Sequence, residues 1–408
     1  MFLLTTLAAS LSLWPHTTLA QPTNTLNTPE AQVLIDRIQE RGGFFDSRQS
    51  IRHEVSTDPS TIRGVFAEAP IAVGQLLLRV PWELCISPTE EKYQRTSAQC
   101  MCDTERNVRE ALLQGNASLH GPYAYIMHAK EMELPNLWSA EERALLLRLL
   151  GDELPPKPQR LTTHLDWWTA ACNGDLNDQI AVHSILLVVT RGVEVHGFSP
   201  DPPARSIMAP IYDLYNHRNG AWLNTRVRAG AARNFEMYAS KDIAAGEQLY
   251  NSYGSGSDEL YVTYGFTEQY PQLWDFEVEV NDELTRSAQG IQFTLDESET
   301  SEDSENPGPS LAVRWEGQTS RTPPSLEVVA ALEGLLDRLK SRRADEGIDS
   351  AERSDSPHFG LIKTYISAIE TALESAITVG RAAHDDSSEE YTTDKSARQN
   401  GMRSSEEL

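Results

Sequence analysis

The feature that most limits the fold is a change of hydrophobic period that happens twice along the chain. Residues 62–80, IRGVFAEAPIAVGQLLLRV, read as two short strands. Val65 and Phe66 sit in the first, Leu76, Leu77, Leu78 and Val80 in the second, with Pro70 and Gly74 at the link and Pro81 at the end. Between 105 and 190 the apolar spacing lengthens to three and four, and NVREALLQ, YAYIMHAKEM, SAEERALLLRLL and NDQIAVHSILLVVTRGV read as helices. Ser139, ahead of Glu141 and Glu142, is the expected cap of the third, which Pro155, Pro156 and Pro158 close; the fourth ends near Arg191–Gly192. After a Pro-rich loop at 200–203, short strands are expected in SIMAPIYDLYN, NTRVRA, NFEMYAS and EQLYNSYG. Strands, a helical block at about 103–195 and strands again make an α+β domain spanning 55–267 after a lead at 21–54.

Helical periodicity returns in SLEVVAALEGLLDRLKSRRA and FGLIKTYISAIETALESAITVGRAA, so 268–383 reads as a C-terminal helical part. It is interrupted by DESETSEDSENPGP, 296–309, whose first ten residues include six acidic ones and which reads as a solvated loop. From His384 the chain turns polar, and 384–408 is expected as a disordered tail. Eight Trp and 39% hydrophobic residues support a globular body. A formal net charge of −25 repels nucleic acid and anionic membranes, whose recognition needs clustered Lys and Arg.

The N-terminus, MFLLTTLAASLSLWPHTTLAQP, carries an apolar run from Phe2 to Leu13 and then Thr18-Leu19-Ala20. This reads as a signal peptide, 1–20, directing the chain to the secretory pathway, in the lumen or outside the cell. A plastid reached through that route is the alternative. No other segment approaches a membrane span. In an oxidising lumen Cys85, Cys100, Cys102 and Cys172 can form two disulfides of undetermined connectivity. Cys-Met-Cys at 100–102 has no second pair and does not fit a zinc site, so no metal is expected. Asn116-Ala117-Ser118 is a glycosylation sequon.

The chemistry concentrates in APIYDLYNHRNG, 209–220, and GEQLYNSYGSGSDELYVTYGF, 246–266. Neither contains G-x-S-x-G, H-E-x-x-H or a dinucleotide-binding glycine pattern, so hydrolase and NAD readings lose support. Asp213 either caps the turn at Asn216–Gly220 or compensates a ligand's charge. His217 can be a ligand-loop residue or a buried core histidine. For Tyr264 the plain alternative is core packing in a strand.

Taken in order, four segments resemble the SET-domain methyltransferases, in the branch that includes the Rubisco large-subunit lysine methyltransferase and the actin-histidine methyltransferase. IRGVFAEAPIAVGQLLLRVP is similar to the opening hairpin, VTRGV to the Arg-bearing helix end, DLYNHRNG to the D-x-x-N-H loop and GEQLYNSYG…YGF to the closing motif. GPYAYIMHAKEMELPNLWSAEE is similar to the branch's helical insertion. The resemblance covers roughly 55–380. It departs from the family in Ile62-Arg63-Gly64, where Gly-x-Gly is more usual, and in a closing motif one residue short that lacks an Asn between Tyr253 and Tyr264.

The resemblance implies small curled sheets that knot around S-adenosylmethionine, with a C-terminal helical domain that binds a protein substrate. It assigns the cofactor to backbone groups of Thr61, Ile62 and Arg63, to Arg191, and to Asp213, Asn216 and His217. It assigns the acceptor channel to Tyr253 and Tyr264, whose hydroxyls would orient the amine or receive a proton through water. Lysine is the favoured acceptor, with histidine transfer or a non-catalytic, partner-binding scaffold as alternatives, and the chain is expected to be a monomer. The N-terminal reading is checked directly: Edman sequencing of protein from its native host should begin at Gln21, and an intact Met1 would overturn it.

Overall fold

The fixed φ of Pro29 at the first helical position starts α1 (Pro29–Glu40), whose Ala31, Leu34, Ile35 and Ile38 repeat at helical spacing and are all buried. The computed structural model describes residues 27–54, 63–87, 97–128, 134–195, 205–230, 234–254, 256–282, 285–297, 311–316, 324–348 and 358–403. α1 leads into β1 (Phe44–Phe45) and β2 (Gln49–His53), so the lead is built into the sheets. β3 (Arg63–Ala67) and β4 (Leu76–Pro81) fall where the first apolar segment predicts strands.

Five helices follow: α2 (Ser97–Gln114), α3 (Gly121–His128), α4 (Ala140–Leu150), α5 (Thr163–Cys172) and α6 (Gln179–Arg191). α4 starts on a reciprocal cap, in which Ser139 Oγ accepts from the Glu142 N–H at 3.2 Å and the Glu142 carboxylate accepts from the Ser139 N–H at 2.8 Å. It ends at Leu150, ahead of the prolines expected to close it, because Gly151 turns the chain at φ 64°. Asp178 Oδ1 caps α6 by accepting from the N–H groups of Ile180 and Ala181.

The second half of the domain holds β5 (Val193–Val195), β6 (Arg205–Ile207), β7 (Asn216–His217), β8 (Thr225–Gly230), β9 (Asn234–Ala239), β10 (Gln248–Asn251) and α7 (Ser257–Tyr264). SIMAPIYDLYN is therefore not one strand. Pro210 has no N–H for a ladder, and a tight turn at Tyr212–Leu214 separates β6 from β7. Two four-stranded sheets result, in the orders β1-β4-β9-β8 and β2-β3-β10-β7. In the second, β10 lies between β3 and β7, antiparallel to one (Leu249 opposite Val65) and parallel to the other (Tyr250 opposite Asn216). The opening hairpin, the polar loop and the closing motif thereby meet along one strand.

The C-terminal part has the expected helices and, ahead of them, a sheet that was not expected. β11 (Gln272–Asp282), β12 (Thr285–Glu297) and β13 (Leu311–Trp315) form an antiparallel sheet before α8 (Leu326–Asp345) and α9 (Phe359–Arg403). The signal is a period of two: Trp274, Phe276 and Val278 are buried between Asp275, Glu277 and Glu279, as are Ile291, Phe293 and Leu295 on the partner strand. Asp296 and Glu297 close β12, and the rest of the acidic run lies outside the described residues. α9 runs on to Arg403, past the boundary expected at His384. That stretch has no apolar pattern, yet no Pro stops a helix of polar formers such as Glu389, Glu390 and Lys395.

Two hydrophobic cores organise the chain. The first unites α1, the two four-stranded sheets, α2, α3 and α6. The second unites the C-terminal sheet, α8 and α9 with Tyr261 and Val262 of α7 and with Trp138, Leu145, Leu146, Leu149 and Leu150 at α4. α4, expected as part of the insertion, is thus packed with the C-terminal part. Among the described residues no helix is long and apolar enough to cross a membrane, and no group of three or more His, Cys, Asp or Glu is placed to hold a metal.

Cys102 and Cys172 are disulfide-bonded, joining α2 to α5 across 70 residues. Cys85, expected in a second bridge, is instead a free thiol buried in the first core, and burial pushes its pKa far up. The side chain of Cys100 lies outside the described residues. Reduction, or paired Cys102→Ala and Cys172→Ala substitution, should lower unfolding free energy by about 2–4 kcal/mol in urea titrations. Cys85 should not react with a thiol reagent until the protein unfolds.

Candidate functional site

The site begins with a strained residue. Ile211 has φ 73° and ψ −35°, a backbone region that costs a β-branched residue about 1–3 kcal/mol and is held here by complete burial. The turn that follows carries Asp213 to the end of α6, where Arg191 Nη1 donates to Asp213 Oδ2 at 3.1 Å. Asp213 is 2% exposed and the Arg191 side chain 26%, so the acid is buried and the arginine only partly so. The partner found for Asp213 is a cation of the protein itself, which neither reading of this acid named.

Arg63, at the start of β3, brings a second guanidinium. Burial lowers its pKa, the charge of Asp213 opposes that shift and Arg191 adds to it. Burial likewise pushes the Asp213 carboxyl up, while Arg191 and Arg63 pull it back. Asp213 Oδ1 and Arg191 Nε are buried with no hydrogen-bond partner. Such orphans cost about 1–3 kcal/mol each and call for a group that completes them. An adjacent anion and cation with unmet capacity complement a zwitterion, one carboxylate beside one ammonium.

Asn216 and His217 sit at the same junction, but their side chains serve the protein. Asn216 Nδ2 donates to the carbonyl of Arg63 at 3.0 Å, pinning β7 to β3. His217 Nδ1 accepts from the Tyr253 N–H at 2.9 Å, and Nε2 lies 3.0 Å from Glu268 Oε2. With both ring nitrogens engaged within the protein, the His217 imidazole acts as a brace. Thr61 and Ile62 lie outside the described residues.

An aromatic cluster continues the site. The rings of Tyr253 and Tyr264 are 4.7 Å apart, Tyr253 lies 5.1 Å from the His217 ring, and Phe266 is 6.2 Å from Tyr264. The Tyr253 hydroxyl donates to the Tyr215 carbonyl at 3.3 Å. Tyr264 closes α7 rather than lying in a strand, because Gly265 ends that helix at φ 77°. Burial raises the pKa of the Tyr253 phenol, with the positive charge of Arg191 acting against it, and pushes that of Tyr264 up to about 12, with Tyr212 adding to the shift. Both phenols therefore stay protonated at neutral pH, which fits an orienting role.

Three residues escape the sequence reading. Tyr212, whose hydroxyl accepts from Asn251 Nδ2 at 2.6 Å, directly precedes Asp213 and could have been read from the same loop. Tyr123 comes from α3, and its phenol is pushed well up by burial and by the Asp213 charge. Glu268, buried among four donors, sits in a T-E-Q stretch that carries no sequence signal of its own.

Comparison with known proteins bears on the fold. Residues 62–254 match the family model described as SET domain. A solved structure of Rubisco LSMT bound to AdoMet superposes with a TM-score of 0.50 at 16% identity, covering 87% of this chain and 92% of that one. Rubisco LSMT bound to sinefungin and monomethyllysine gives 0.50 at 15%, covering 89% and 93%. No curated protein matches in sequence.

Asp213→Asn should leave Arg191 and Arg63 uncompensated and lower unfolding free energy by about 2–4 kcal/mol, below the figure for a fully buried pair because Arg191 is partly open. For the phenols the sign is fixed by burial, which penalises phenolate and holds the proton to higher pH. Tyr264→Phe should therefore leave the phenolate absorbance unchanged below about pH 10, the ordinary Tyr value, and remove signal only toward 12.

Proposed function

We propose that this chain, whose residues 62–254 match the SET-domain family model, transfers a methyl group from S-adenosylmethionine to a nitrogen of a protein side chain, with a lysine amine as acceptor. The observation that carries the proposal is the incomplete Arg191–Asp213 pair beside the Tyr253–Tyr264 rings. The amino-acid end of the cofactor is a zwitterion and fits that pair, with Arg191 on its carboxylate and Asp213 on its ammonium. Backbone groups at Arg63, with Thr61 and Ile62, and at Asn216–His217 are the proposed hold on the rest of the molecule. When bound, the cofactor supplies a methyl carried on a cationic sulfur.

The acceptor nitrogen must be neutral and in line with the methyl carbon, so that the new C–N bond forms as the C–S bond breaks. A partly buried aromatic cluster disfavours a neighbouring ammonium by desolvation, and an adjacent cation adds to this. Tyr253 and Tyr264 supply ring faces along the path. The Tyr253 hydroxyl spends its proton on the Tyr215 carbonyl, so toward an amine its oxygen acts as acceptor. These two residues orient the amine and do not take its proton. The C-terminal sheet with α8 and α9 is the proposed docking unit for the substrate protein, and the chain is proposed to act as a monomer. The Cys102–Cys172 bridge supports a secretory setting, where disulfides persist.

Calorimetry and radiolabel transfer test this. Arg191→Ala should weaken S-adenosylmethionine binding roughly tenfold or more, the loss of a charge-assisted hydrogen bond. Tyr253→Phe should leave that affinity unchanged while lowering kcat about tenfold or more on the protein that accepts label. A wild-type chain that binds no cofactor would make it a SET-like scaffold instead. Label found on histidine would correct the acceptor.

A further inference from the structure

We infer that Glu268 is a positioning residue for Tyr253, acting through the tautomer of His217 and through a second arm that fixes Gly254. The kinetic part of this inference rests on the methyl-transfer reading; the structural part stands without it.

Glu268 is 4% exposed and lies outside the matched domain, on the link between α7 and β11. Its carboxylate receives four donors. At Oε2 these are His217 Nε2 at 3.0 Å and Asn219 Nδ2 at 3.1 Å. At Oε1 they are the Ser257 hydroxyl and the Leu273 N–H, the latter at 3.2 Å. A carboxylate surrounded only by donors acts only as acceptor, so His217 Nε2 must carry a proton. His217 Nδ1 is then the bare nitrogen, the only form that can accept the Tyr253 N–H found 2.9 Å away. The opposite tautomer would set two N–H groups against each other at that point. Glu268 thus fixes the backbone of Tyr253 from two bonds away, while the His217 ring lies 5.1 Å from the Tyr253 ring.

The second arm starts at the same oxygen. Asn219, held by Glu268 through Nδ2, accepts the Ser252 hydroxyl at its Oδ1 at 2.9 Å. Ser252 Oγ accepts the Gly254 N–H at 3.1 Å. Gly254 has φ 79°, a turn conformation that suits glycine and that this bond helps to hold. The residues on which the Tyr253 ring depends for its place are therefore tied on both sides to one carboxylate. Neither arm hydrogen-bonds Arg191 or Asp213, and the first acts through the His217 ring rather than through the backbone proposed to hold the cofactor, so disturbing Glu268 should affect the acceptor side of the site more than the cofactor side.

Two measurements test this. Long-range ¹H–¹⁵N spectra of histidine-labelled protein should show His217 in the wild type as the Nε2–H tautomer, with the Tyr253 amide protected from exchange. Glu268→Gln presents either an oxygen or an amide N–H to the ring, so it should populate the Nδ1–H tautomer and speed that exchange. In turnover, Glu268→Gln should lower kcat roughly tenfold while S-adenosylmethionine affinity stays within about threefold. An Nδ1–H tautomer in the wild type overturns the inference, as does a Glu268→Gln protein with unchanged tautomer and unchanged kcat. If that variant fails to fold, the wild-type tautomer decides alone. A protein with no turnover at all would remove the methyl-transfer reading and leave the tautomer result standing, so the two failures are separable.

Discussion

The Glu268 carboxylate is the point at which the separately folded parts of the site are locked to one another. Its donors come from β7 and the loop after it, from the first residue of α7 and from the second residue of β11. Burying one carboxylate is costly unless its lone pairs are filled, and here the filling is shared among segments that belong to different cores. The same link holds Gln272 Nε2 on the Glu268 carbonyl at 2.8 Å, while Arg218 donates to the carbonyl of Tyr270 at 3.1 Å. The loop that carries Asn216 and His217 is thereby fastened to the C-terminal sheet by both side-chain and backbone groups.

A second fastening joins α4 to the C-terminal helices. Arg342 of α8 donates to the Leu150 carbonyl at 2.8 Å and pairs with Glu153 at 2.9 Å, Arg148 pairs with Glu346 at 2.7 Å, and His358 stacks on Trp138 at 5.1 Å. These contacts explain why α4 leaves the insertion's other helices and joins the second core: its buried Leu stripe meets α8 and α9, and its polar ends find partners there. Exposed ion pairs of this kind add little each, so the Leu stripe supplies most of the attachment.

Much of this was legible in the chain. The opening hairpin, the cap at Ser139, the Arg191 helix end and the convergence of 209–220 with 246–266 follow from period, capping chemistry and motif order. What escaped has identifiable physical causes. The C-terminal sheet was hidden because strongly helical segments after it set the expectation for the whole region, although Trp274, Phe276 and Val278 alternate plainly. Asn216 and His217 were recognisable as a pair, but whether a polar side chain faces a ligand or a neighbour is decided by tertiary contacts. For His217 those contacts are Tyr253 and Glu268, 36 and 51 residues away. Cys85 illustrates the same limit, since cysteine count constrains pairing and burial decides it.

The position of β10 between β3 and β7 bears on how the chain reaches its native state. Val65 and Leu249 are neighbours in the sheet but about 180 residues apart in the chain, a separation that makes their pairing slow to form. During synthesis β2 and β3 are complete long before the strand that covers their edge has left the ribosome, and until then that edge offers unpaired N–H and C=O groups to any extended chain nearby. Assembly of the site is consequently a late event in folding, and the nascent chain carries one open sheet edge while the roughly 180 residues between the two strands are made.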